Sequence, residues 1–163
     1  MKPSLLVLSA AAILVAGVAG TSALSASSPP SGKPQQASFY GHVKSVTREG
    51  NRYVMRFDPA WWLSGLAAER ACGCKPVPND YYIVDESHEL LTFPVRSDAR
   101  VAVLVRTTGP IGVRSISVAE LAQIVRGKNP KHRRLLEPKA GFWIRVGVKY
   151  PNPVLSLDQQ YQP

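Results

Sequence analysis

The N-terminal 38 residues constrain the fold most, because their composition sets them apart from the rest of the chain. Lys2 precedes a small and apolar run from Leu5 to Gly20, and small residues continue through Ser28. A positive start, a short apolar stretch and a small-residue cleavage site are the features of a secretory signal peptide. We therefore predict a signal peptide over residues 1–25, cut after Ala23-Leu24-Ser25.

The apolar run is shorter than the about 20 residues that a spanning helix needs, which favours a cleaved signal. An uncleaved N-terminal membrane anchor remains the alternative, and it would be the only membrane contact of the protein. The only cysteines are Cys72 and Cys74, so a lipid-modified cysteine after the run is excluded. The sequence thus predicts a secreted or extracytoplasmic protein of the cell envelope.

A linker separates this segment from the rest of the chain. Residues 26–38 are rich in serine, proline and glutamine and contain no aromatic or β-branched side chain. Such a segment buries too little apolar surface to offset the entropy cost of ordering it. We therefore predict a disordered linker over residues 26–38 and a single globular domain over residues 39–163.

The domain shows the periodicity of β-strands. About 125 residues are enough to bury a core without metal ions or many disulfides. In residues 142–149, for example, Phe142, Ile144 and Val146 alternate with polar or bulky neighbours, as in a half-buried strand. The pattern predicts an α+β, β-rich fold: six or seven strands and two short helices in a single small antiparallel sheet or a partly open barrel.

Local signals place the individual elements. A hairpin is predicted from residues 39–47 and 52–58 around a Gly-Asn turn. Asp58-Pro59 predicts a helix start, because Asp caps helices and Pro suits their first position. Ser117 and Glu120 form a capping box for a helix ending near Arg126. Further strands are expected at residues 81–85, 90–95, 100–106, 142–149 and 154–158, with a loop over residues 107–115.

The charge of the chain favours acidic partners. The formal net charge is +9 and the pI is about 9.9. Outside the membrane, such a protein attracts an anionic envelope polymer, a lipid surface or an acidic envelope protein. Export argues against nucleic acid, so we expect no nucleic-acid partner.

A basic loop and one strand supply the candidate binding residues. The loop after the second helix is dense in cations, although such loops also serve only solubility. In the strand over residues 142–149, an aromatic and a cation occupy the predicted outward face. The candidate binding residues are Lys128, Lys131, Arg133, Arg134, Trp143 and Arg145.

The two cysteines leave several alternatives open. Cys72-Gly73-Cys74 places two thiols in a loop of an oxidising compartment, which favours a local structural disulfide. Intermolecular pairing and a redox or metal role are the alternatives. No thioredoxin-like unit surrounds the pair, and the histidines are scattered. We therefore expect no metal and no cofactor.

Two aromatic pairs and one acidic cluster are weaker candidates. Trp61-Trp62 and Tyr81-Tyr82 could form a platform for a sugar or a peptide, or could be ordinary partly buried aromatics. The acids from Asp80 to Glu89 could do acid/base work, although a solvated turn explains them as well. The sequence contains no common catalytic motif, so no catalytic residue is assigned.

Several short blocks resemble one group of proteins. They are Tyr40 to Ser45 (Tyr-Gly-x-Val-Lys-Ser), Trp62 to Gly65 (Trp-Leu-x-Gly), Pro78 to Ile83 (Pro-Asn-Asp-Tyr-Tyr-Ile) and the terminal Gln160-Tyr161-Gln162-Pro163. In this order they resemble a family of small exported or lipid-anchored proteins of Gram-positive, actinobacterial-type bacteria. The resemblance implies an extracytoplasmic address and one β-rich domain, and it assigns no catalytic residue. The chain departs from the pattern around Cys72-Gly73-Cys74.

Two functions are consistent with these features. The first is a non-enzymatic exported domain that binds an anionic envelope polymer, a lipid surface or a partner protein. The alternative is an extracytoplasmic enzyme, either a thiol-disulfide catalyst through Cys72 and Cys74 or a hydrolase through the acids between Asp80 and Glu89.

Overall fold

The computed structural model describes residues 35–86, 89–137 and 140–162. The predicted signal peptide and the linker up to residue 34 lie outside the described residues, as do His88 of the acidic cluster and Lys139 of the basic loop. The first strand begins at Gln36, so the predicted linker over residues 26–38 extends three residues too far.

Seven strands and two helices make up the described residues. They are β1 (Gln36–Glu49), β2 (Arg52–Ser64), α1 (Gly65–Cys72), β3 (Tyr81–Val84), β4 (Leu91–Val105), β5 (Gly112–Ile116), α2 (Val118–Val125), β6 (Phe142–Gly147) and β7 (Val154–Gln159). Neither helix in these ranges has the length and apolarity to cross a membrane.

Five of the strands close into a barrel. The sheet runs β3-β2-β1-β6-β7-β4-β5, and β2 also pairs with β4, which joins the two ends of the five-strand ring. Neighbouring strands are antiparallel except β4 and β7, which are parallel. The prediction of a β-rich fold with six or seven strands and two short helices is confirmed, with seven strands present; the barrel is closed rather than partly open.

The connectivity of the barrel is a known one. Numbered along the chain, the five barrel strands follow the ring order 1-2-3-5-4, and α2 lies between the third and the fourth. This arrangement is that of the OB-fold, a five-stranded Greek-key barrel. β3 and β5 lie outside the ring and lengthen the sheet next to β2 and β4.

Three element predictions were wrong because strand pairing overrides local signals. Asp58-Pro59 does not begin a helix: these residues pair with His42 and Gly41 of β1, and β2 continues to Ser64 before α1 starts. Likewise, the strands expected at residues 90–95 and 100–106 form one long strand, β4, and residues 112–115 of the predicted loop belong to β5. In each case cross-strand contacts outweigh a cap or turn residue.

The core fills the barrel and continues beneath α2. Met55, Phe57, Ile144 and Leu157 are fully buried inside it, and α2 contributes Leu121 to the same cluster. The N-cap prediction for α2 is confirmed, because Ser117 Oγ accepts a hydrogen bond from the Glu120 amide at 3.1 Å. This packing fixes the ends of β4 and β5 and the loop after α2.

Candidate functional site

A depression of about 390 Å³ lies where β4 ends and the chain turns into β5. Four arginines from three segments line it, together with two threonines of the turn. The lining residues are Val105, Arg106, Thr107, Thr108, Arg114, Arg133 and Arg134. We call the exposed guanidinium groups of Arg106, Arg114 and Arg134 the arginine site.

Backbone pairing brings these arginines together. In the hairpin of β4 and β5, Arg114 lies opposite Val103, so its side chain is fixed close to the end of β4. The loop after α2 docks along that same end: the amide of Arg106 donates to the carbonyl of Arg134 at 2.7 Å, and Leu135 forms a bridge with Val105. Backbone atoms therefore hold all three segments in place, independently of any charge.

The arginine site is a cluster of positive charge, and the nearest acid among the lining residues is Glu137 of the adjoining depression. Arg106, Arg114 and Arg134 are exposed, and within the described ranges none of them forms an ion pair with an acid. Guanidinium groups have planar forks of donors that match carboxylate and phosphate oxygens. The site therefore has the chemistry to bind an anion.

Arg133 differs from its neighbours because a buried acid neutralises it. Its Nε lies 2.6 Å from Oε1 of Glu120, and Lys131 Nζ lies 2.9 Å from the other oxygen. The Glu120 side chain is only 4% exposed. The hydrogen bond from Arg133 holds the pKa of this carboxyl below its usual range, although burial opposes that shift. Lys131 and Arg133 thus anchor the loop to α2.

A second depression of about 430 Å³ adjoins the first. Both are lined by Arg106, Thr107 and Arg134, so the two depressions share part of their wall. The far wall of the second comes from the C-terminal residues Gln160 to Gln162, which place amide and phenol groups beside the arginines.

The predicted binding residues have different surroundings and partners in the structure. Within the described part of the basic loop, Arg134 is the one residue that belongs to the arginine site as an unpaired cation. Lys128 is exposed beyond the end of α2, outside the lining of either depression. Arg145 donates from Nε to Ser156 Oγ at 2.8 Å and lies 4.0 Å from Asp158, so it belongs to a surface network.

Trp143 is half-buried rather than freely exposed as its strand position predicted. Its ring lies 5.3 Å from that of Tyr40 and 6.0 Å from that of Trp62, and Trp62 stacks on Tyr81 at 4.0 Å. Burial raises the pKa of the Tyr40 phenol, which accepts a hydrogen bond from Gln162. These rings form one aromatic cluster on the β1, β2 and β6 side of the barrel.

Two of the arginines were missed by sequence reasoning. Arg106 follows an apolar strand and Arg114 lies in a segment expected to be a loop, so neither belongs to a run of basic residues. Only the register of the hairpin between β4 and β5 brings them together. A prediction of that hairpin across Thr107 to Ile111 could have found them.

The structure gives the cysteines and the acids separate surroundings. Cys72 and Cys74 form a disulfide across Gly73 at the end of α1. β3 separates Asp80 from Asp85 by more than about 10 Å of extended chain, and Asp85 lies 3.7 Å from His42 instead. Within the described ranges, no three His, Cys, Asp or Glu side chains are grouped as metal ligands.

Comparisons with known proteins give no relative for this chain. No protein-family model, no curated protein and no solved structure matches it. The resemblance to exported Gram-positive proteins therefore stays a prediction.

Proposed function

We propose that this protein is an exported, non-enzymatic domain that binds an anionic polymer of the cell envelope at the arginine site. The observation that carries the proposal is the convergence of Arg106, Arg114 and Arg134 on one depression without an acidic partner among the described residues. Folded proteins usually compensate such charges, so a retained cluster favours an anionic ligand.

The shape of the site favours a polymer over a small molecule. The two depressions share Arg106, Thr107 and Arg134, and these residues are all exposed. An extended chain with regularly spaced phosphates or carboxylates can contact successive guanidinium groups there. The positive charge of the whole protein steers such a chain toward the surface.

The proposal does not depend on the function of other barrels with this connectivity. OB-folds use the face of their second and third strands, here β2 and β4, and the loops of the adjoining hairpins. The arginine site lies at the end of β4, on β5 and on the loop after α2. The fold alone assigns no ligand, since the same fold serves many functions.

A direct test compares two sets of three substitutions that remove the same charge. Arg106, Arg114 and Arg134 are changed to Ser in one variant, and the exposed arginines Arg52, Arg56 and Arg70 are changed to Ser in the other. Each cation near an anionic surface contributes about 1 kcal/mol, so loss of the site should raise the Kd for long-chain polyphosphate about 100-fold in low salt. The measurement is a titration by fluorescence anisotropy.

The control set separates a site from overall charge. We expect it to change the Kd less than about three-fold, because long-range attraction alone is screened within a Debye length of about 10 Å at 0.1 M salt. Wild-type binding should disappear near 0.5 M salt. Equal weakening by both sets would contradict a local site, and stronger weakening by the control set would move the site to the β2 and β4 face.

The extracytoplasmic address is part of the same proposal. It is supported by the signal-like residues 1–25, which lie outside the described residues. If the signal is cut after Ser25, the mass of the protein recovered from the secreting cell should correspond to a chain that starts at Ala26. A protein with the mass of the whole chain from Met1, dissolved in the cytosol, would contradict export.

A further inference from the structure

A cleft opens where β2 leaves β1. The two strands pair as far as Tyr40 and Ala60; beyond that point β1 continues beside β6, and β2 continues beside β3. The strands therefore diverge like the arms of a fork. The space between them, about 260 Å³, is lined by aromatic rings, and we call it the aromatic fork.

The walls of the aromatic fork include one highly exposed tryptophan ring. Trp61 is 72% exposed, although tryptophan is usually one of the most buried side chains. It lies next to Phe39, which is 36% exposed, while Trp62 and Trp143 form the half-buried part of the wall. An exposed indole beside a ready-made aromatic wall is typical of a binding surface.

Polar backbone groups accompany these rings. In the described chain, residues 36–39 pair only with β6, and residues 61–64 pair only with β3. On each of these strands, every second residue directs its N–H and C=O groups away from the paired strand. On both strands, that side faces the fork. The cleft thus combines flat apolar walls with a rim of unused hydrogen-bond donors and acceptors.

We infer that the aromatic fork binds one pyranose ring of the anionic polymer, so that the ligand is an anionic polysaccharide; this inference rests on the proposed function. A pyranose ring has an apolar C–H face, which packs on indole, and a rim of hydroxyl groups, which pair with free backbone groups. The cleft is smaller than the about 300–1,000 Å³ of pockets for drug-sized ligands, as a single ring requires.

The aromatic fork and the arginine site are close enough for one chain. Tyr40 lines the fork, and its phenol accepts a hydrogen bond from Gln162, which lines the depression beside Arg106 and Arg134. One tyrosine and one glutamine side chain therefore separate the fork from the second depression, which shares Arg106 and Arg134 with the arginine site. A polysaccharide with its charged groups on the arginines can reach the fork with a neighbouring sugar.

The test uses three anionic polymers that differ in their backbone: dextran sulfate, polyphosphate and poly-L-glutamate. Trp61→Ala removes the exposed ring, Trp61→Phe keeps an aromatic wall, and Tyr150→Ala removes an aromatic that is 91% exposed elsewhere. We expect Trp61→Ala to weaken dextran sulfate binding about ten-fold and polyphosphate binding less than two-fold. Trp61→Phe should restore most of the loss, and Tyr150→Ala should change neither affinity.

The possible results test the sugar subsite and the arginine site independently. If Trp61→Ala leaves dextran sulfate binding unchanged, the sugar subsite is wrong, while loss of polyphosphate binding in the variant without the three arginines still supports the arginine site. If Trp61→Ala weakens poly-L-glutamate as much as dextran sulfate, the fork takes an extended peptide and the sugar assignment is overturned. If the three arginine substitutions leave polyphosphate binding intact, the proposed function itself fails.

Discussion

At the scale of single residues, the number of cations in a loop is a poor guide to the number available for a ligand. Lys131 and Arg133 were predicted as binding residues, yet both contact the same buried carboxylate of Glu120. Arg134, one position further, has no such partner in the described chain and faces the depression. The difference depends on which side chains reach Glu120, and the sequence does not show that.

Glu120 should therefore make stability depend on pH. Its pKa is lowered in the folded protein, so its contribution is fully present above the unfolded-state pKa, about 4.3, and is lost as the pH falls through the lower folded-state value. Glu120→Gln should reduce the free energy of unfolding by about 1.5–3 kcal/mol at pH 7, the range for hydrogen bonds to charged groups. The measurement is urea denaturation at pH 7 and at pH 3.

The matched control is Glu49→Gln, an exposed acid on the tip of the first hairpin. It should change stability by less than about 0.5 kcal/mol at either pH. The difference in the free energy of unfolding between wild type and Glu120→Gln should be smaller at pH 3 than at pH 7. A gap of the same size at both pH values would mean that Glu120 acts through packing and not through its charge.

At the scale of elements, the sequence predicted the helices and strands that local signals define, and it missed those that depend on strand pairing. The capping box predicted α2, the Gly-Asn turn predicted the hairpin that begins with β1, and alternation predicted β6, each with small shifts. The register that extends β2 past Pro59 comes instead from the contact of Pro59 with Gly41 of β1. No local pattern encodes a partner that lies so far away in the chain, so the aromatic fork at the end of β2 could not be predicted either.

The close approach of β1 and β2 gives an element-scale prediction. A Cβ at Gly41 would lie 2.1 Å from the carbonyl oxygen of Asp58 and 2.9 Å from Cα of Pro59, both backbone atoms that cannot rotate away. Gly41→Ala should therefore force the strands apart and cost about 3 kcal/mol or more, at the upper end for overpacked cores. Thermal unfolding followed by circular dichroism measures the loss.

Gly109→Ala is the matched control, because a Cβ there meets no atom within 4 Å. Its melting temperature should stay within a few degrees of the wild type. A Gly41→Ala variant as stable as Gly109→Ala would mean that β1 and β2 are farther apart than described, and the position of the aromatic fork would then be wrong too.

At the scale of the whole molecule, the candidate site is a property of the tertiary fold and of no single segment. Its arginines come from the end of β4, from β5 and from the loop after α2, which the hairpin register and two backbone hydrogen bonds of that loop bring together. Composition predicted an attraction to acidic material, and this remains the basis of the proposal. Composition did not locate the site, because only the fold shows which of the cations lack acidic partners.

The most direct test of the central claim is a nitrogen-15 NMR titration of the arginine side chains with short-chain polyphosphate. The account predicts that the Nε–H signals of Arg106, Arg114 and Arg134 shift together and saturate with one Kd, while those of Arg52, Arg56 and Arg70 stay in place. Uniform small shifts of all arginine signals, or saturation confined to the second group, would contradict an anion-binding site at the end of β4.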